Sequence, residues 1–208
     1  MPLSTKKTTP LRRQLEGGLG LPKPQPVDAL KLARQRFLEA SRVDMGALAD
    51  ELGINRVTLY RWVGSNELLL GEVLWSLAID AFKAARQQAT GKGADYVSDV
   101  IYRFLVLIRG FEPVQHFLAA DPEYALRVLT SKHSIVQERV IESFRELLRE
   151  QVDKRHLKLP QDLETLAYAL ARLGEAFLYN DLITGREPDL KKAKLLIRAL
   201  LSAPWDRL

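Results

Sequence analysis

Residues 43–67, VDMGALADELGINRVTLYRWVGSNE, leave the chain little choice of local structure. Asp44 can accept hydrogen bonds from the first free amides of a helix. Leu48 and Leu52 then fall four apart on one face. Gly53 stands just past the apolar run, where a left-handed residue ends a helix. Ile54 plugs the corner, and Asn55 is a good cap for a second, short helix. In that helix Leu59 and Val63 face inward. At about 100° per residue, Val57 and Arg61 point away from them, flanked by Thr58, Tyr60 and Trp62. A small helix with hydroxyl, aromatic and guanidinium groups outside suits a major groove. Arg56 sits at its N-terminal end, the end that meets base edges in helix-turn-helix motifs.

The charge distribution points the same way. Residues 1–66 hold 11 Lys/Arg against 6 Asp/Glu, whereas residues 67–208 hold 20 of each. The whole excess of +5 therefore lies in the N-terminal third, as an electrostatic DNA footprint requires. The chain has no cysteine, which excludes disulfides and thiol chemistry and fits a reducing compartment. MPLSTKKTTP has no apolar core of signal-peptide length. The longest apolar runs, such as Phe104 to Ile108, are too short to span a bilayer. A cytoplasmic protein with no membrane partner is expected.

The rest of the chain reads as helices. Residues 1–26, with Pro2, Pro10, Pro22, Pro24, Pro26 and three glycines, read as a disordered basic tail. Asp28 is expected to cap a first helix with the core stripe Leu30, Ala33, Phe37 and Ala40. Ser65 starts a long fourth helix to about Ala89, ended by Gly91 and Gly93. A fifth runs from about Asp95 to Arg109, and a short sixth from Pro113 to Ala119. Asp121-Pro122 opens a seventh. Ser134 with Gln137 makes a capping box, at which the seventh restarts or two helices meet. Asp162 starts an eighth reaching about Ile183 and closed by Gly185. Asp189 starts a ninth ending before Pro204. The periodicity gives an all-α fold. The expected division is 1–26 tail, 27–66 helix-turn-helix domain and 67–208 a larger helical domain.

Leu48-Ala49, Gly53-Ile54, Thr58-Leu59-Tyr60-Arg61-Trp62-Val63 and Glu67-Leu68-Leu69 together resemble the N-terminal domain of TetR-family transcriptional regulators. The resemblance covers about a quarter of the chain, from roughly Asp28 to Leu74. It implies a three-helix reading head on a C-terminal bundle that binds a small effector and dimerises through its last two helices. It places Arg56, Val57, Thr58, Arg61 and Tyr60 at bases, and Tyr60, Trp62 and Asn66 at phosphates of double-stranded operator DNA. Asn66 departs from the pattern, which carries a lysine there; an amide and a helix N-terminus still offer donors.

Within the bundle, Tyr168, Arg172, Glu175 and Tyr179 are spaced 4, 3 and 4, one polar-aromatic stripe on a helix otherwise covered by leucines. Such a stripe is either a rim pair at the bundle edge or the polar wall of an effector pocket. Thirteen of the sixteen aromatics lie after residue 66, among them Trp75 and Tyr102, and are expected to line that pocket or fill the core. Leu163, Leu166, Leu170, Leu195, Leu196, Leu200 and Leu201 are candidates for a homodimer interface. His116, His133 and His156 are not at metal-ligand spacing, so no metal site is expected. No nucleophile elbow, Walker loop or dinucleotide fingerprint appears, so neither a cofactor nor an enzymatic activity is expected.

Arg172-Leu173-Gly174-Glu175, Phe177-Leu178-Tyr179 and Ile183-Thr184-Gly185-Arg186-Glu187-Pro188-Asp189 resemble, further, the effector domain of an actinobacterial TetR subgroup that represses quorum-signal lactone degradation. That resemblance implies a γ-lactone or acyl-homoserine lactone as effector, and hence a ligand-responsive homodimeric repressor. Two alternatives remain open from the sequence. An architectural DNA-binding protein without an effector would have its pocket closed by side chains. An enzyme would need Arg172, Glu175 and a histidine to converge.

Overall fold

The computed structural model describes residues 23–131, 133–159 and 161–203, and every regular element within them is a helix. These are α1 (Pro26–Leu38), α2 (Met45–Glu51), α3 (Arg56–Val63), α4 (Asn66–Gln88), α5 (Gly93–Arg109) and α6 (Glu112–Ala120). They continue as α7 (Pro122–Thr130), α8 (Ile135–Asp153), α9 (Leu163–Leu178), α10 (Asn180–Thr184) and α11 (Leu190–Ser202). The proposed tail lies almost wholly outside the described residues. No described helix is long and apolar enough to cross a membrane.

Short polar side chains set most of the helix starts, each accepting a bond from an amide that the helix leaves free. Asp44 accepts from Gly46 and Ala47, Asn55 from Val57, Ser65 from Leu68 and Asp121 from Tyr124. Asp162 accepts from Thr165 and Asp189 from Lys192.

Several boundaries differ from the sequence expectation. Asp28 is not the cap of α1. Proline fits the first helical turn, so the helix begins at Pro26, and Asp28 reaches back to the Gln25 amide at 2.9 Å. The segment after Asp121 is two helices, because Ser134 restarts the chain by accepting from the Gln137 amide. The helix expected to reach Ile183 breaks at Tyr179. Only the five-residue α10 follows, and Gly185 closes it at φ +70°. Helix α5 starts two residues early, at Gly93. There the amide donates to Gln151 Oε1 at 3.0 Å, and φ is +58°. A Cβ at this position would stand 2.2 Å from the His156 carbonyl oxygen, so the chain leaving α8 crosses directly over a glycine.

The buried apolar residues form one cluster from Ala29 to Leu201. Helix α4 packs on α1 and α3 at its start and on α5, α7 and α8 beyond. Phe82, Phe104 and Phe144 meet at its far half with ring centroids 5.7–6.2 Å apart. Two arginine–glutamate pairs tie α4 to α8. The Arg139 fork holds Glu72 at 2.6 and 2.9 Å, and Arg86 Nη2 reaches both oxygens of Glu150 at 2.8 and 2.7 Å.

A second ionic anchor fixes α11 to α5. Asp99, 5% exposed, accepts from Arg103 Nε at 2.9 Å, Lys194 Nζ at 2.6 Å and the Thr90 amide at 3.0 Å. Burial alone would raise its pKa. The three donors outweigh burial and hold it at about 2, below the ordinary 3.8. A carboxylate depressed in the folded state stabilises fully above its unfolded pKa and loses that contribution as pH falls through the folded one. Asp99→Asn should therefore lower stability by roughly 1–3 kcal/mol near neutral pH, its two cationic partners being about a third exposed. The gap from wild type should close between about pH 4 and pH 2, as read by melting temperature against pH.

Candidate DNA-reading head and effector cavity

The head is α1, α2 and α3 against the start of α4. Leu59 is fully buried on α3, which packs against α1 and α2. Gly53 makes the turn into α3 at φ +64°, and Gly64 leaves it at φ +77°. The outer face carries Arg56, Val57, Tyr60 and Arg61, all exposed, with Thr58 and Trp62 half-buried beside them. Val57 is 74% exposed, a degree of apolar exposure that a thymine methyl would relieve. The Arg56 guanidinium lies 5.7 Å from the centre of the Tyr60 ring, with the Asp44 carboxylate acting on it at longer range. Six of the seven residues expected at DNA thus share one helix.

Asn66 does not share that face. Its amide nitrogen turns inward to donate to the Tyr124 hydroxyl at 3.4 Å, and its amide oxygen is buried without a partner. In this conformation the side chain joins the head to the body. Around it, Phe37 meets Phe117 edge-on at 5.6 Å, Phe117 meets Tyr124 at 6.2 Å, and Arg127 Nε donates to Glu67 at 3.0 Å. The hairpin α6–α7 therefore bears directly on α1 and on the first turn of α4.

The other face of the same hairpin lines a cavity of about 60 Å³. Its walls are Leu74, Leu77 and Ala78 of α4, Phe104, Leu105 and Ile108 of α5, Val114 of α6 and Leu129 of α7. Val136, Gln137, Val140 and Phe144 of α8 and Ala171, Gly174, Glu175, Leu178 and Tyr179 of the last third complete it. The lining is apolar except along one edge, where Gln137, Glu175 and Tyr179 stand together. Tyr179 is 6% exposed, and burial raises the pKa of its phenol, opposed slightly by Arg172.

The expected stripe does not all reach this space. It descends from the surface: Tyr168 is 53% exposed, the Arg172 and Glu175 side chains are 35% and 19% exposed, and Tyr179 is inside. Arg172 sits behind the wall against Glu175, with its guanidinium 5.9 Å from the Tyr168 ring. Trp75 lies in an adjoining crevice beside Phe82 and Val140 that is too tight to admit a water. Tyr102 faces α11, its ring 5.3 Å from Lys194 Nζ. Gln137 and Gly174 were not read from the sequence as wall residues. Gln137 carried a signal only as half of a capping box. Its side chain instead turns across to Thr130, Ser131 and Arg172.

Of the interface candidates, Leu166, Leu170 and Leu201 are core, at 2%, 0% and 2% exposure. Leu195 and Leu196 of α11 point outward, as do Tyr168 and Ile183. His116, His133 and His156 are all exposed, and no metal-binding cluster of acidic, His or Cys side chains occurs among the described residues.

The family model for the tetracyclin repressor-like C-terminal domain matches residues 92–202, more than half of the chain. Among solved structures, the R. erythropolis transcriptional repressor QsdR from the TetR family is 29% identical. That match has a TM-score of 0.81 and covers 86% of this chain and 94% of that one. A candidate transcriptional regulator from Rhodococcus sp. RHA1, 20% identical, aligns with TM-score 0.54 over 86% of this chain and 97% of its own, a likeness of fold alone. No curated protein matches the chain. An all-α body, a helix-turn-helix with its reading face bare, and the C-terminal match agree: the chain belongs to the TetR family of transcriptional regulators, not to a family of enzymes.

Proposed function

We propose that the protein is a homodimeric repressor, cytoplasmic in location, that leaves its operator when a small amphipathic effector enters the cavity. A γ-lactone or acyl-homoserine lactone is the effector class. The observation that carries this reading is that α4, α6 and α7 each have one surface on the cavity and another on the reading head. Val114 and Phe117 are one turn apart on α6; the first lines the cavity, the second touches Phe37. Leu129 and Tyr124 divide α7 in the same way. An effector that parts the walls moves the head, and its differential affinity for the two arrangements is the whole of the coupling. An apolar cavity with one polar edge favours an effector over an architectural protein whose pocket is closed by side chains.

Arg56 leads α3 and can reach a guanine bidentately. Arg56→Ala should cost about 1–3 kcal/mol on the operator and relax preference at one base pair per half-site, as read by titration against a substituted operator series. Equal weakening on random DNA would assign it to phosphate alone.

Leu195, Leu196, Tyr168 and Ile183 are 49–63% exposed on the last three helices, more outward apolar surface than a monomer keeps without reason. Light scattering at micromolar concentration should give twice 23.6 kDa. A monomeric mass would remove the two-fold reading geometry and the mechanism with it.

Gly174 supplies the effector test. A Cβ there meets Leu105 Cδ2 at 3.5 Å, ordinary contact, so a larger residue is accommodated by filling the cavity. Gly174→Val should bind operator as wild type does without effector. It should need ~10-fold or more lactone for release, about 1.4 kcal/mol of lost binding. Release at the wild-type lactone concentration would place the effector elsewhere.

A further inference from the structure

The polar edge of the cavity has a definite set of satisfied and unsatisfied groups. With its amide oriented to suit its neighbours, Gln137 donates to the Thr130 and Ser131 carbonyls, both at 3.0 Å, and accepts from Arg172 at 3.0 and 2.5 Å. Both ends of that amide are used. Arg172 is matched by the Glu175 carboxylate and by Gln137, with the Tyr168 ring against its guanidinium on the outer side. Tyr179 is the exception. Its side chain is inside and lines the cavity, and its hydroxyl has no hydrogen-bond partner among the described residues. Unlike the amide oxygen of Asn66, this hydroxyl is not sealed off, so it is free to take a partner from the space beside it. The cavity that Tyr179 lines is a space from which that partner can come.

Resting on the effector reading above, we propose that this edge selects the charge of the ligand. The cavity takes a neutral amphiphile whose carbonyl-type oxygen accepts from the Tyr179 hydroxyl, and Glu175 excludes the corresponding carboxylate. An anionic head entering here meets the Glu175 carboxylate in a wall whose other polar members, Gln137 and Tyr179, carry no charge. The nearest cation, Arg172, is already matched by that carboxylate and by Gln137. Two negative charges would then share one positive charge at a site only partly open to water, where like charges repel and the entering anion loses hydration without a cation of its own. A neutral amide or ester adds no charge. Its oxygen satisfies Tyr179, any N–H it carries can be accepted by Glu175, and its chain lies among Leu74, Leu105 and Val140. Tyr179 is the contact residue and Glu175 the specificity-determining one.

The test uses the full chain and two probes of equal chain length, octanamide and octanoate, titrated calorimetrically at pH 8. Wild type should bind octanamide at least ~30-fold more tightly than octanoate. Glu175→Gln should bring the two within about 3-fold, chiefly by strengthening octanoate. Tyr179→Phe should weaken octanamide ~10-fold and leave octanoate as weak as in wild type. Removing a hydroxyl that has no partner should not lower the melting temperature, so this variant stays informative even where Glu175→Gln folds poorly. A reading on unaltered protein is also available. Octanoate affinity should rise as pH is lowered toward the ligand's own pKa while octanamide affinity stays flat. Equal affinity, or a preference for octanoate that the wild type keeps at every pH, would overturn the inference while leaving an effector cavity in place. Binding of neither probe would also overturn it. If Gly174→Val then still responded to lactone as wild type does, the effector reading would fall separately.

Discussion

The two arginine–glutamate pairs between α4 and α8, one a fork and one a single nitrogen on both oxygens, are the constraint that makes one body of the head and the cavity. A helix of 23 residues is about 35 Å long and stiff, so it transmits displacement only about points where it is held. Glu72 with Arg139 holds it just before the cavity wall begins at Leu74, and Arg86 with Glu150 holds its far end. Both pairs are part-exposed, so their contribution to stability is modest. Their geometry is another matter, since a carboxylate gripped at both oxygens fixes orientation as well as distance. Between the two pairs lie Leu77, Ala78 and Phe82, packed against α5 and α8. Before the first pair lie Ser65, Asn66 and Glu67, which carry the reading head.

The hairpin α6–α7 supplies a second route that bypasses α4. Its aromatic chain from Phe37 through Phe117 to Tyr124 is edge-to-face throughout, an arrangement that fixes angle and not only proximity. Asn66 closes the loop by donating to Tyr124 while its own amide oxygen stays buried and unpaired. A polar atom left unsatisfied at the junction of three helices weakens that junction relative to one fully bonded. Such a place is suited to giving way when the cavity walls move.

The helix starts were legible because they depend on one side chain and the amides within three residues of it. Asp44, Asn55, Ser65, Ser134, Asp162 and Asp189 all cap as their positions suggest. Asp28 misleads because two residues in sequence compete for the same turn and proline wins. The break at Tyr179 was not legible, because no glycine or proline marks it. The cavity was legible only in part. Spacing placed Tyr168, Arg172, Glu175 and Tyr179 on one stripe, yet a stripe longer than three turns on a tilted helix begins at the surface and ends inside. Spacing cannot say which end is which. Tyr102 and Trp75 are separated from the cavity by the rotation of α5 and α4, which long-range packing sets. The exposed face of α3 was legible, since a short amphipathic helix with Leu59 inward leaves Arg56, Val57, Tyr60 and Arg61 outside.

On the proposed reading, the size of the cavity decides how the switch works. A volume of about 60 Å³ holds roughly four waters, while an apolar cavity that takes benzene is ~150 Å³. Any effector with a ring and a chain must therefore part the walls before it binds. The described arrangement then has almost no affinity for effector, and the expanded one has all of it. That is the condition under which binding shifts a population efficiently, because a ligand moves an equilibrium only by its preference between states. A hundredfold preference is about 2.7 kcal/mol, within reach of one buried aliphatic chain and one hydrogen bond to Tyr179. The same walls belong to α4, α6 and α7, so parting them disturbs Phe37 and the first turn of α4 at once. Linkage then works in both directions: operator DNA, by holding the head, raises the effector's dissociation constant by the same factor that the effector raises the operator's.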